Sequence, residues 1–165
     1  MRGHSVALKA GADLEGFRRA VRRLVAIGAR PDEVAWTSGE APTLFGAPAD
    51  PAPADAAAPG PSLMLPRAMG ELVSSVVCHR DRERYALLYR AIWRLVQGER
   101  HLLEMQHDPL VHALERMAKS VRRDIHKMHA FVRFRRIEDD GAERYIAWFE
   151  PEHFIVERNA PFFAR

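Results

Sequence analysis

Six prolines set among alanines, from Pro42 to Pro61, divide the chain and leave two stretches from which any core must be built. Residues 39–62 hold almost no large apolar side chain, so they cannot bury enough surface to offset the entropy of ordering them. A flexible linker or long loop is expected over 39–65. It separates a strand–helix–strand unit at 1–38 from helices plus a β-hairpin at 66–165, the two packing as one domain. Leu44-Phe45 is the apolar exception inside the linker. It reads as a latch onto the domain's own surface or, as an alternative, as a short linear motif.

Before the linker, Ser5 to Leu8 reads as a short strand, and Asp13 is placed to cap a helix with Glu15 in its first turn. Phe17, Val21, Leu24 and Val25 recur at helical spacing, with Arg18, Arg19, Arg22 and Arg23 on the other side. Gly28 and Pro31 end that helix, and Glu33 to Trp36 suggests a second strand beside the first.

After the linker, Pro66 opens a helix through Met69, Leu72, Val73 and Val76. Asp81 is expected to cap a second, with Tyr85, Leu88, Tyr89, Ile92 and Val96 as its apolar stripe and Gly98 at its end. Asp108-Pro109 starts a third, running to about Ala130, with Leu110, Leu114, Met117, Val121, Ile125 and Met128 as its buried seam. The period then changes. Phe131 to Ile137 and Arg144 to Phe149 alternate as strands, and Asp140-Gly141 is a hairpin-turn signal. The fold class expected is therefore α+β: a core of about four helices and a small sheet that includes a C-terminal hairpin.

Composition is that of a soluble globular chain, 47% hydrophobic and 28% charged. No stretch is apolar enough to span a membrane and no signal peptide is evident, so a cytoplasmic location is expected. Cys78 is the single cysteine, which excludes an internal disulfide or a zinc or iron–sulfur centre built from this chain's thiols. Phosphate-cradling glycine loops and the common hydrolase motifs are absent. No cofactor and no catalytic residue is expected.

Charge is where the sequence points to a function. The net charge is only +3, yet between Arg116 and Arg136 eight cations face Asp124 alone. Local segregation of this kind attracts polyanions. On the third helix Arg116, Lys119, Arg123 and Lys127 fall away from the apolar seam as one stripe, with Arg122, His112 and His126 beside it. In the hairpin, Arg135 is expected opposite Ile146 and Arg133 opposite Trp148, with Phe131 on the same face. Val132, Phe134, Tyr145, Ala147 and Phe149 should form the buried face. Arginines interleaved with rings suit a surface that tracks a phosphate backbone and stacks on bases. Two plainer readings stand beside this: a solvated helix face, and a surface cation–π pair of Arg133 with Trp148. His126, His129 and His153 are the one set a metal could draw on. Their first two members differ by about 60° around the helix, so they converge loosely, and no metal is expected.

The run Val121-Arg-Arg-Asp-Ile-His-Lys-Met-His-Ala-Phe-Val-Arg-Phe-Arg135 resembles the signature of an uncharacterised bacterial domain family linked to DNA metabolism. Trp148 to His153, Ala160 to Arg165, Asp13 to Arg18 and Cys78 to Asp81 resemble it as well. The resemblance implies two settings: the N-terminal half of a fused iron–sulfur uracil-DNA glycosylase, or the stand-alone partner of a putative radical-SAM DNA repair protein. The glycosylase motifs and cluster cysteines are not among these residues, so excision is not expected of them. The expectation is an accessory, DNA-binding domain of bacterial DNA repair using Arg116, Lys119, Arg122, Arg123, His126, Lys127, Arg133, Arg135 and Trp148. The alternatives are a protein-interaction module docking a glycosylase or radical-SAM partner, and a histidine-dependent enzyme acting on DNA.

Overall fold

The computed structural model describes residues 3–39, 63–139 and 141–164. Leu44-Phe45 and Asp140 lie outside the described residues. Two strands, β1 (His4–Leu8) and β2 (Val34–Ser38), pair in parallel with His4 opposite Val34 and Leu8 opposite Ser38. The helix α1 (Leu14–Ala26) connects them. Its start is set by Asp13, whose carboxylate accepts the Gly16 amide at 2.8 Å and the Lys9 amide at 3.0 Å.

Three helices supply most of the core: α2 (Arg67–Val76), α3 (Arg84–Val96) and α4 (Pro109–Phe131). Asp108 caps α4 by accepting the amides of Leu110 and Val111 at 2.9 and 3.2 Å, with Pro109 in the first turn where no donor is needed. Asp81 acts one step earlier than its position suggests. Its carboxylate accepts the Glu83 amide at 2.9 Å and so caps the turn leading into α3.

One cluster of buried side chains draws on both flanks of the proline-rich stretch, joining Leu8, Phe17 and Leu24 to Met69, Leu88 and Leu114. The ring of Trp36 packs on those of Phe17, Tyr85 and Tyr89, with centroids 5.3 to 6.1 Å apart. The Tyr89 hydroxyl donates to the Ala29 carbonyl over 2.6 Å. Burial pushes its pKa up to about 12, so it remains a donor.

Arg84 is only 1% exposed, yet it meets no carboxylate among its printed partners. Its guanidinium donates to the carbonyls of Val77 at 3.1 Å, Asp81 at 2.9 Å and Gly11 at 2.8 Å. It lies over the rings of Tyr85 and Phe154. One side chain thus ties the loop after β1 to the end of α2 and the start of α3.

The C-terminal part holds an antiparallel hairpin, β3 (Arg135–Asp139) and β4 (Ala142–Ile146), and a short helix α5 (Val156–Phe163). Gly141 takes φ of 74° in the turn, the left-handed conformation glycine adopts without strain. The architecture is α+β, as the change of period predicts, with two separate two-stranded sheets. Among the described residues, no helix is long and apolar enough to cross a membrane.

Candidate nucleic-acid interface

The face of α4 turned away from Leu114, Met117 and Val121 forms one wall of a groove of about 1000 Å³. Arg116, Lys119 and Arg122 line this wall together with His112 and Glu115. The opposite wall is α2, where Ala68 and Gly70 keep the floor open and Arg67 stands with Glu71; Arg18 and Arg158 border it. The charges in this groove are not equivalent. Arg67 is paired with Glu71 at 2.9 Å and Arg18 with Glu15 at 2.8 Å. Arg158 donates to the Ser74 carbonyl. No ion pair reaches Arg116, Lys119 or Arg122 among the described residues. These three positive charges are available to an external anion.

The stripe expected along α4 divides in two. Lys127 turns to the other side and meets Glu152 at 2.8 Å. That hydrogen bond, then the Lys127 charge, hold the Glu152 carboxyl below its usual range, with Arg123 adding to the effect. His126 is exposed beyond the groove residues.

The three histidines do not come together. His129 Nε2 lies 3.2 Å from Asn159 Oδ1, and its ring stacks on Phe162 at 3.8 Å. His153 is only 7% exposed and is held elsewhere. Its Nδ1 accepts the Arg80 amide at 3.3 Å, its own amide donates to Asp124 at 2.9 Å, and its Nε2 lies 2.8 Å from Ser120 Oγ. Because Nδ1 accepts, the proton sits on Nε2 and is donated to Ser120. This is the reverse of a nucleophile and its base, in which histidine accepts from serine and the acid holds Nδ1. Among the described residues no three histidine, cysteine or acidic side chains gather to hold a metal ion.

Ser120, Asp124, His79 and Arg84 were not singled out by the sequence. Asp124 did leave a signal: three residues after Val121, it falls on the apolar seam of α4, where an acid must find a buried donor. For His79, whose ring lies 4.3 Å from that of His153, no local pattern exists.

The hairpin departs most from expectation. Arg135 does pair with Ile146, the register that a two-residue turn dictates. However, α4 continues through Phe131 and the ladder starts only at Arg135. Arg133 bends back, donating to the carbonyls of Ala130 at 2.8 Å and Val132 at 2.9 Å, and so closes the end of α4. The face expected to be buried is not: Val132 is covered, but Phe134 and Tyr145 are exposed. A two-stranded ribbon needs a third layer to bury one side. Here only Phe163 approaches, its ring 5.5 Å from that of Phe134. Trp148 is 84% exposed and Phe131 70%.

Residues 82–165 match the model of a family described as Domain of unknown function (DUF4130). The chain belongs to that family. No curated protein and no solved structure matches it. The DUF4130 match takes in α3, α4, the hairpin and α5, and with them the unpaired cations of α4, Trp148, Ser120 and His153. The segments Asp13–Arg18 and Cys78–Asp81 lie outside it, as does α2. The DUF4130 region thus supplies the basic wall of the groove, and the sequence before it supplies the facing wall.

Proposed function

We propose that this chain is an accessory nucleic-acid-binding module of bacterial DNA repair. The observation that carries the reading is the groove wall of Arg116, Lys119 and Arg122, three fixed cations without an ion-pair partner among the described residues. A groove bordered by further arginines suits a phosphate backbone, which needs positive charge at spaced points and little else. The repair setting comes from the sequence resemblance, which implies an iron–sulfur uracil-DNA glycosylase half or a radical-SAM partner. Arg123 and Lys127 lie to the side of this path, while Arg135, Trp148 and His126 extend it toward the hairpin.

Titration of the protein with labelled single-stranded and duplex DNA at low and high salt tests the reading. Binding that weakens steeply as salt rises is expected. Absence of binding to either form at low salt overturns it.

One observation favours a second reading. The apolar side chains of the hairpin, with Phe162, form an exposed surface of the kind that docks a protein. On that reading a glycosylase or radical-SAM partner would bind with affinity that survives high salt. A histidine-dependent enzyme has less to stand on, since both ring nitrogens of His153 are engaged within the fold.

A further inference from the structure

The root of the hairpin pairs exposed rings with arginines, directly beyond the end of the α4 basic wall. From Arg122 to Phe131 is nine residues of helix, about 14 Å, so groove and hairpin follow one another along a single axis. On one face of the ribbon Arg135 stands opposite Ile146 and Ile137 opposite Arg144. Trp148 and Phe131 extend that surface at its base, and neither ring meets another aromatic among the described residues. Arg133, held to the end of α4, fixes a positive charge between them in sequence.

We infer that this hairpin root takes the unpaired bases of a single strand whose phosphates lie in the α2–α4 groove. The inference rests on the nucleic-acid reading above and sharpens it to single-stranded substrate. A duplex keeps its bases stacked inside, where an exposed ring cannot reach their faces, whereas an unpaired base stacks on tryptophan or phenylalanine whatever its identity. Charge selects this occupant over an apolar protein surface: arginines alternate with the rings at the root. The acids Glu138 and Glu143 stand at the far end, with Arg136 bound to Glu143 at 3.0 Å. A phosphate backbone is thus attracted to the root and repelled from the tip.

The test uses a thymidine strand of about 20 nucleotides, the same length of duplex, and a strand of abasic sites that keeps the phosphates and lacks the bases. The parent is expected to bind the thymidine strand roughly five- to hundredfold more tightly than the abasic strand, the range that stacking on one or two bases supplies. Trp148→Ala should erase most of that preference and leave duplex affinity within about twofold. Exposure of this side chain makes misfolding an unimportant outcome. Equal affinity for thymidine and abasic strands overturns the inference while leaving the groove reading intact. So does a Trp148→Ala variant that keeps its nucleic-acid affinity but loses self-association, which would make the hairpin a protein-docking face. If neither strand nor duplex binds, both readings fall together.

Discussion

Ser120 Oγ lies 2.8 Å from Nε2 of His153, on the side of α4 away from the basic groove. Since Nδ1 of that ring accepts the Arg80 amide, the contact fastens the segment after the hairpin to α4 and activates nothing. Ser120→Ala is expected to cost about 1 kcal/mol of stability, the net worth of one hydrogen bond, without changing nucleic-acid affinity. Denaturant melts and a binding titration check both parts. Loss of binding with unchanged stability would show that the pair has a role beyond the fold.

His79 and His153 stack with ring centroids 4.3 Å apart, and burial pushes both pKa values below 6.5. For His153, Asp124 and Glu152 oppose the shift while Arg80 and Lys127 add to it; for His79, Asp81 opposes it, and His153, Arg84 and Arg80 add to it. The unfolded chain therefore binds protons that the folded one refuses, and stability falls as pH drops from about 6.5 toward the lowered values. Melting temperature followed over that window should decline in the parent. His79→Asn should flatten the decline; a curve as steep as the parent's would contradict the assignment.

Arg84 spans three carbonyls from the interior, and removing it leaves those acceptors buried. Arg84→Met is expected to lose about 3 kcal/mol. Arg84→Lys should recover little, because a single ammonium cannot reproduce the planar fork. Chemical denaturation of both variants measures the difference. A lysine variant as stable as the parent would mean that charge, rather than geometry, holds these segments.

Asp108 caps α4 and also meets Arg94 at 2.8 Å, while Arg94 is held by Glu99 at 2.6 Å. Asp108→Ala removes cap and ion pair together and should cost about 1 to 2 kcal/mol; Asp108→Asn keeps the cap and should cost less. Equal losses in the two variants would assign the stability to the ion pair.

The parts legible in sequence were those governed by local chemistry. Asp13 and Asp108 announced their helices because capping is decided within three residues. Arg135 fell opposite Ile146 because a two-residue turn fixes the register. What failed was the assumption that alternation implies a covered face: Phe134 and Tyr145 alternate as a buried strand would, yet no layer closes over them. The α4 stripe was read correctly as exposed. Its division was hidden because Glu152, which draws Lys127 aside, is 25 residues away. The facing wall of the groove was hidden for the same reason, since α2 and α4 meet only in the folded chain. Arg84 looked like one more surface arginine, because its three acceptors are backbone carbonyls that no sequence pattern displays.

The central claim is that Arg116, Lys119 and Arg122 form the phosphate-binding wall. Reversing all three to glutamate and measuring DNA affinity across a salt series tests it most directly. A control carrying the same charge change at Arg82, Arg90 and Arg100, none of which lines the groove, removes the effect of net charge. The account predicts a sharp loss of affinity and a slope of log affinity against log salt that is lower by about 2 to 3, with the control close to the parent. A groove variant that matches the parent in affinity and slope would contradict it.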